Sequence, residues 1–327
     1  MKKIELAVLL ATYNGAKYLV EQLDSLRAQT YQDFICYIHD DGSNDGTQQI
    51  ITEYCNRYPA HFVYLGCSRT GGPKYNFMYL LKEVEANYYM FCDQDDVWKP
   101  EKIEKSYSTL QKLEVNAHSP ACIFSDLSVV DANLNIVSAS FYKYTKRNPH
   151  KLSINDMLYD NLAYGCTIMF NAPIRNIILN VNVVEYVHMH DVFPSYIASA
   201  LGKLKFIDVP LMLYRRHDKT VSTTTKARTL SQNIKRLIKV VSPSKISIWF
   251  VNRKAWLRIR QNDAIAILTC IEAYIENLQS KDSLSNDEVE LFARAKASTT
   301  VLRKFISQLE GSLLINQIRL YYWKCMM

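Results

Sequence analysis

The chain has 327 residues, of which 48% are hydrophobic, enough to fill the core of one large domain or two ordinary ones. Its eight cysteines contain no Cys-x-x-Cys pair, which argues against a zinc knuckle or a disulfide framework and for reduced thiols in the cytosol. The net charge of +7 is local, because eleven lysines and arginines and no acidic residue lie between Asp218 and Asp263.

The apolar run at residues 4–11 follows two lysines and superficially resembles a signal peptide. It contains Glu5 and continues into Thr12 without a small-residue cleavage site, so we expect a first β-strand at 6–10 instead. Further strands are predicted at 34–38, 62–65 and 88–92, with helices at 18–26, 46–58, 75–84 and 100–113. This alternation predicts an α/β fold with a mostly parallel, Rossmann-like sheet flanked by helices.

Later segments continue the pattern less regularly. Two strands are predicted within 121–140, one strand at 165–170, a helix at 190–200 and a strand pair at 203–208 and 211–215. After His217 a Ser/Thr-rich stretch leads into largely helical sequence that is broken near Pro243. We therefore divide the chain into an α/β domain at residues 1–220 and a basic, mainly helical region at residues 221–327.

Three carboxylates crowd into residues 93–96, Asp-Gln-Asp-Asp, directly after the predicted strand at 88–92. Like charges at this spacing repel one another, and each loses hydration at a sheet edge, unless a cation lies between them. Carboxylate oxygens are the ligands that Mg²⁺ and Mn²⁺ prefer, and Mg²⁺ is often bound together with substrate phosphates. The run therefore favours a metal–diphosphate site, and an acidic turn before the helix near Pro100 is the alternative.

Other polar clusters stand where predicted strands end, at the sheet edge where ligands bind. They are Ala-Thr-Tyr-Asn-Gly at 11–15, Asp-Asp-Gly-Ser at 40–43, His-Asp at 190–191 and Tyr-Arg-Arg-His at 214–217. A carboxylate at 40–41 can accept a hydrogen bond from a pyrimidine N3–H, and plain turn chemistry is the alternative there. Lys74, just after Gly-Gly-Pro at 71–73, is a candidate for the diphosphate, and a plain helix start is the alternative.

Taken in this order and spacing, these pieces resemble a family 2 glycosyltransferase of the A-type nucleotide-sugar fold over residues 4–220. The form Asp-Gln-Asp-Asp-Val-Trp at 93–98 is similar to the rhamnosyltransferase-like branch, which builds bacterial surface polysaccharides. The resemblance implies an inverting transfer from a nucleotide diphosphate sugar to a glycan or lipid-linked acceptor, with Mn²⁺ or Mg²⁺ as cofactor. It implies rhamnose from a dTDP donor as one sugar, and a UDP-hexose (glucose, galactose or N-acetylglucosamine type) is the alternative.

The resemblance also implies roles for residues at matching positions. Asp191 matches the catalytic base, and Gly165 matches the glycine of the acceptor-side loop. The implied nucleotide contacts are Thr12, Tyr13, Asn14, Asp40, Asp41 and Asp93, with Lys74 added as above, and the implied metal ligands are Asp93, Asp95 and His217. Because of their positive charge, Arg215 and Arg216 are candidates for the diphosphate, and the alternative is that one of them only faces solvent. Two positions depart from the common pattern, since His190 replaces a glutamate and Tyr164 replaces the usual residue before the glycine. We expect Trp98 to pack in the core beneath the acidic run.

Elementary chemistry supports these roles. Displacing a nucleoside diphosphate from a sugar builds negative charge on the leaving oxygens, which a cation and fixed positive groups stabilise. The acceptor hydroxyl must lose its proton as it attacks, and a single carboxylate suffices as general base in a one-step, inverting displacement. The alternative for Asp191 is that it only caps the helix that follows.

The basic stretch at 229–261 places apolar residues at helical spacing beside lysines and arginines and includes Trp249 and Trp256. This pattern suits an interfacial helix on anionic lipid, which would make the protein cytoplasmic and peripheral to the membrane. A helix packed on the catalytic domain with a solvated basic face is the equal alternative. No stretch reaches the roughly 18 consecutive apolar residues of a membrane span, and we recognise no nucleic-acid motif.

Two rival classes of function make different predictions. A nucleotidyltransferase shares the sheet and the need for metal, but it would need a Gly-rich basic loop after the first strand. Residues 11–15 do not form such a loop. A non-catalytic adaptor on the same scaffold predicts membrane binding by the basic stretch without metal-dependent nucleotide binding.

Overall fold

The structure is a computed structural model that describes residues 4–114, 119–217 and 243–325. Its strands are β1 (Ile4–Thr12), β2 (Ile35–Asp40), β3 (Phe62–Cys67), β4 (Ala86–Cys92), β5 (Val97–Trp98), β6 (Cys122–Val130), β7 (Ile136–Ser138), β8 (Ile168–Asn171) and β9 (Leu204–Arg215). Its helices are α1 (Ala16–Arg27), α2 (Thr47–Arg57), α3 (Pro73–Glu83), α4 (Lys102–Leu113), α5 (Phe141–Thr145), α6 (Ile154–Tyr159), α7 (Ala172–Leu179), α8 (Val192–Ala200), α9 (Pro243–Gln279) and α10 (Asn286–Cys325).

The strands form one sheet in the order β3-β2-β1-β4-β8-β6-β9-β5, with β7 paired to β6. The first half is parallel, because β1 pairs with β2 and β4, and β2 pairs with β3. Beyond β4 the sheet is mixed, since β8 runs antiparallel to both β4 and β6 while β9 is parallel to β6. The predicted α/β class with flanking helices is confirmed. Parallel pairing joins β1, β2, β3 and β4, the strands that alternate most regularly with helices along the sequence.

The core lies on both faces of this sheet. Residues 6–10 of β1 are fully buried, as a parallel strand covered by helices on two sides requires. Helix α1 buries Leu19, Leu23 and Leu26 on one face, at the spacing of a helix that packs against a sheet. Each fully buried leucine contributes about 1.5–3 kcal/mol relative to an exposed one.

Two segments differ from the predicted strands. A single strand, β9, stands where the sequence predicts a pair, because the pairing with β6 shifts register around Asp126 and Pro210 instead of ending there. Such an irregularity accommodates a proline, which has no N–H to donate to the ladder. The predicted strand at 165–170 begins as a 3-10 turn, Gly165–Thr167, before β8. That turn brings Gly165 to the site described below.

The C-terminal helices pack on the α/β part of the chain. Ser298 of α10 donates a hydrogen bond to the Ala200 carbonyl at the end of α8 (2.6 Å), and the rings of Tyr159 and Phe305 meet edge to face at 5.0 Å. Among the described helices, none is both long and apolar enough to cross a bilayer. The predicted boundary near residue 220 and the basic stretch at 229–242 lie outside the described residues, so the division of the chain stays a prediction.

Candidate active site

The carboxyl ends of β1, β2 and β4 meet at one edge of the sheet, as predicted. Thr12 at the end of β1 donates its hydroxyl proton to Asp40 at the end of β2 (2.8 Å). Gln94, just after β4, accepts from the Tyr13 N–H (2.8 Å) and donates to the Tyr13 carbonyl (2.9 Å). Three loops that are far apart in sequence are therefore joined by direct hydrogen bonds.

Asp40 is fully buried, and its carboxylate is hydrogen-bonded to other groups of the protein. Besides Thr12, its carboxylate accepts from the Ser43 N–H (2.7 Å) and hydroxyl (2.5 Å) and from the Cys67 thiol (3.3 Å). Ser43 in turn accepts from the N–H of Asn14 (2.7 Å), whose backbone is left-handed with φ 48°. Asp40 thus shapes the predicted base-binding pocket, and its contact with a nucleotide stays a prediction.

Asp41 holds the glycine loop that leads into α3. Its carboxylate accepts from the N–H and hydroxyl of Thr70 and from the N–H groups of Gly71 (3.3 Å) and Gly72 (2.9 Å). Burial alone would raise the pKa of Asp41, but these hydrogen bonds outweigh it and lower the pKa. Asp41 is therefore ionised and fixed beside the loop that follows β3.

Lys74 points from the start of α3 to a different loop. Its Nζ donates to the Val187 carbonyl (2.9 Å), and the neighbouring Tyr75 hydroxyl donates to the Glu185 carboxylate (2.6 Å). Both partners belong to residues 180–191, the irregular segment between α7 and α8. We call this segment the base loop, because it ends at Asp191, the predicted general base. These contacts tie Lys74 to the base loop, and its reach to a diphosphate stays a prediction.

The acidic run occupies the centre of the sheet edge. Ligand atoms of Asp93, Asp96 and Cys166 lie within 4.8 Å of one another. Burial, together with the charges of Asp95 and Asp191, raises the pKa of Asp93 to about 7. Burial, Asp95 and Asp93 likewise raise the pKa of Asp96 well above its usual range. Negative charge is therefore costly here unless a cation compensates it.

Two observations test whether these residues fit a divalent cation. Asp96 is fully buried, and its Oδ2 has no hydrogen-bond partner within the described ranges. Asp95 Oδ2 lies 2.7 Å from His217 Nε2, so these two predicted ligands are brought together. Carboxylate oxygens and an imidazole nitrogen suit Mn²⁺, and the carboxylates suit Mg²⁺. The residues present therefore fit the predicted cation, although its identity and its full ligand set stay predictions.

Arg215 lies behind the acidic run and is almost fully buried. Its guanidinium donates to the carbonyls of Asp95 (2.8 Å) and Ala132 (2.7 Å) and to the Glu21 carboxylate, while its N–H donates to Asp96 Oδ1 (3.1 Å). Its neighbour Arg216 donates its N–H to the Val130 carbonyl (2.9 Å). Arg215 therefore supports the acidic run from inside the protein, and contact of either arginine with a diphosphate stays a prediction.

Sequence reasoning did not single out Lys102, the first residue of α4. Its side chain is fully buried, donates to the Cys166 carbonyl and stands 4.1 Å from the ring centre of Trp98, whose predicted burial is confirmed. Burial lowers the pKa of Lys102 to about 8, and the nearby acidic groups counteract this. The spacing of four residues could have indicated its burial, because Lys102 lies on the same helix face as the buried Ser106 and Leu110.

Asp191 occupies the N-cap position of α8, yet its side chain makes no capping hydrogen bond. Its Oδ2 accepts the Gly165 N–H (3.1 Å), and its buried Oδ1 has no hydrogen-bond partner in the part of the chain that the structure describes. Burial raises the pKa of Asp191 to about 6, while His188 lowers it. The capping alternative therefore does not account for this carboxylate.

His190 is packed between two phenylalanine rings. It stacks on Phe77 at 4.0 Å and meets Phe91 edge-on at 4.6 Å. Burial lowers the pKa of His190 to about 3, so the imidazole is neutral. A Cβ on Gly165 would lie only 2.8 Å from His190 Nε2, which explains why a glycine stands in the turn beside Asp191.

A mixed sheet of this order, flanked by helices and with an acidic run at its strand ends, is the arrangement of the A-type glycosyltransferase fold. Residues 7–173 match the family model for glycosyl transferase family 2. The chain therefore belongs to glycosyl transferase family 2 and is an enzyme.

Individual relatives agree with this assignment. The dTDP-rhamnosyl transferase RfbG of Shigella flexneri is 29% identical over 219 residues, which are 64% of this chain and 72% of that protein. An uncharacterized glycosyltransferase of Rickettsia typhi is 26% identical over 221 residues, 67% of this chain and 66% of that protein. The crystal structure of S. aureus TarS 1-349 shares the fold, with a TM-score of 0.51 at 15% identity over 94% of this chain and 92% of that one.

Proposed function

We propose that this glycosyltransferase works with inversion, in a single displacement in which Asp191 removes the proton of the acceptor hydroxyl. The observation that carries the proposal is the state of the Asp191 carboxylate. One oxygen is fixed by the Gly165 N–H, and the other is buried without a hydrogen-bond partner among the described residues. A carboxylate held in this way has one oxygen left to accept a proton from a substrate.

The pKa of Asp191 suits that role. A value of about 6 leaves the carboxylate ionised at neutral pH and makes it a stronger base than an exposed aspartate. General bases work best when their pKa lies near the working pH.

We further propose that Asp93, Asp95 and His217 hold Mn²⁺ or Mg²⁺ together with the donor diphosphate. The short contact between Asp95 and His217 supports this set. The closeness of Asp93 to Asp96, whose Oδ2 has no hydrogen-bond partner among the described residues, supports a cation next to the acidic run. When bound, the cation would neutralise the charge that develops on the leaving diphosphate. Lys102 and Arg215 supply the fixed positive charge beneath the acidic run.

For the donor, we propose a dTDP-sugar, with rhamnose as the first choice. The likeness to a dTDP-rhamnosyl transferase and the Asp-Gln-Asp-Asp-Val-Trp sequence at 93–98 support it. Asp41, with Thr12, Tyr13 and Asn14, would hold the base. A UDP-hexose is the second candidate, because a hydrogen bond to N3–H serves uracil as well as thymine. The acceptor would be a glycan or a lipid-linked glycan in bacterial surface polysaccharide synthesis.

Calorimetric binding of dTDP, UDP and GDP, each with Mn²⁺ and with EDTA, tests the donor site. We expect one nucleotide to bind at least about 10-fold more tightly with Mn²⁺, a difference of about 1.4 kcal/mol. Asp95→Asn should abolish this metal dependence, whereas Asp24→Asn, which removes an exposed carboxylate on α1, should preserve it. If the folded protein binds no nucleotide, the adaptor function is favoured instead.

We also propose that the basic region rests on the cytoplasmic face of an anionic membrane. On α9, Trp256 and Ile259 are exposed by 41% and 40%, next to the exposed Arg253 and Arg258. Arg253, Trp256 and Ile259 are spaced by three residues and therefore share a helix face, and Arg258 lies to one side of it. Apolar and basic side chains on one face suit the headgroup zone of anionic lipid.

Sedimentation with phosphatidylcholine vesicles, with and without phosphatidylserine, tests this placement. The charge reversal Arg253→Glu/Arg258→Glu should weaken binding to the anionic vesicles by roughly 30-fold or more, from about 1 kcal/mol lost per cation. Lys296→Glu/Arg303→Glu on α10 makes the same change elsewhere and should bind as wild type does. Equal sedimentation of both double variants, or binding that ignores phosphatidylserine, would reject the membrane proposal.

A further inference from the structure

The base loop, residues 180–191, has no regular secondary structure of its own to fix Asp191 at its end. Irregular backbone needs partners from elsewhere for its polar groups. On one side it is held by α3, where Lys74 binds the Val187 carbonyl and Tyr75 binds Glu185.

The second anchor comes from the C-terminal region. Asp263 of α9 accepts from the His188 N–H through Oδ1 (3.0 Å) and lies 2.8 Å from His188 Nδ1 through Oδ2. Asp263 has no exposed surface, and Arg260 approaches the same carboxylate at 3.7 Å. Burying a carboxylate is costly unless it is paired and hydrogen-bonded. Asp263 therefore holds this geometry strongly.

A second contact from α9 reaches a residue that follows Asp191 in the chain. Arg260 Nη1 donates to the hydroxyl of Tyr196, a fully buried residue of α8 (3.0 Å). Asp191 thus lies between His188 and Tyr196 in the sequence, and Asp263 and Arg260 of α9 bind these two flanking residues. Helix α9 therefore fixes the chain both before and after Asp191.

We propose that Asp263 is a positioning residue for sugar transfer, which holds the base loop through His188 so that Asp191 faces the acceptor. The inference rests on the proposed role of Asp191 as general base. It also means that the C-terminal helices complete the active site. A displacement of about 1 Å in a reacting group can cost roughly 10²-fold in rate, so loosening this anchor should lower turnover without touching the nucleotide.

The experiment compares Asp263→Asn, His188→Ala and His188→Asn with Glu272→Gln, which breaks an exposed pair between α9 and α10 with Arg303. The readouts are kcat and KM for release of dTDP from dTDP-rhamnose, or of UDP from UDP-N-acetylglucosamine if UDP is the nucleotide bound, and the calorimetric Kd of that nucleotide. We expect kcat to fall roughly 10-fold or more in Asp263→Asn and His188→Ala, with the nucleotide Kd unchanged. His188→Asn keeps a donor near the position of Nδ1 and should recover much of the loss, and Glu272→Gln should behave as wild type.

Hydrogen exchange gives a readout that needs no activity. Amides of residues 183–191 should exchange faster in Asp263→Asn than in Glu272→Gln, because a local anchor has been removed. Unchanged exchange and unchanged kcat in Asp263→Asn would overturn the inference. So would a loss of thermal stability with kcat intact, because the pair would then be only structural.

The design separates this inference from the proposed function. If Asp191→Asn is inactive while Asp263→Asn turns over normally, only the positioning role fails; if Asp191→Asn remains active, the base assignment itself fails. Adding Asp263→Asn to Asp191→Asn should cause no further loss if both act through one group. If Asp263→Asn does not fold, the comparison of His188→Ala with His188→Asn decides, since the His188 side chain is 34% exposed and tolerates replacement.

Discussion

Replacing Asp191 with asparagine should lower sugar transfer by roughly 10²-fold or more while the affinity for the donor nucleotide stays near that of wild type. Asparagine keeps the shape of the side chain and can still accept the Gly165 N–H, so the local fold is retained. It cannot accept a proton from the acceptor hydroxyl. The measurement is steady-state turnover of the nucleotide sugar together with calorimetric binding of the nucleotide.

A pH profile adds an independent check of the same role. A base must be deprotonated to act, and the folded-state pKa of Asp191 is raised from 3.8 to about 6. The wild-type kcat/KM should therefore be low at pH 5, rise through about pH 6 and level off above it. Glu185→Gln removes a negative charge from the same loop and should keep this profile. Weakened donor binding with turnover intact in Asp191→Asn would reject the assignment.

Replacing Arg215 with methionine should lower the free energy of unfolding by about 3 kcal/mol. The reason is that the partly buried carbonyls of Asp95 and Ala132 lose the hydrogen bonds from the guanidinium. The ion pair with Glu21 adds little, because that carboxylate is 51% exposed. Urea unfolding measures the change, and we expect metal-dependent nucleotide binding to weaken as well, since the acidic run loses its support.

An exposed arginine on α10 provides the matched control. Arg294→Met removes the same charge from an exposed pair with Glu290 and should change the free energy of unfolding by no more than about 1 kcal/mol. The opposite pattern would be informative. If Arg215→Met keeps its stability but loses nucleotide binding, the guanidinium acts on the diphosphate directly, as its positive charge led us to predict.

The positions of the candidate residues along the sheet edge were largely predictable from the sequence. Apolar runs such as 6–10 and 88–92 identify strands, and polar residues directly after parallel strands must meet at one edge. For this reason Thr12, Asp40 and Asp93 were singled out together, and the structure brings their loops into contact. The short contact between Asp95 and His217 was expected only from the family pattern, because nothing in their local sequence links them.

Other features were out of reach because they depend on contacts between distant residues. Periodicity places Lys102 on the buried face of a helix but does not reveal that its ammonium group lies next to the acidic run. Arg215 follows a strand, yet whether it turns inward or toward solvent is decided by Glu21 and Ala132. The pairing of His188 with Asp263 joins an irregular loop to a remote helix, and no local pattern encodes it.

The close approach of His190 to Gly165 constrains how this enzyme could be re-engineered. The imidazole, fixed by Phe77 and Phe91, fills the volume that any side chain at position 165 would need. Substitutions at the two positions are therefore coupled, because a larger residue at position 165 fits only if a smaller residue replaces His190. A mutant library directed at this turn would have to randomise both codons together, since single substitutions at position 165 would displace the ring next to Asp191, the proposed general base.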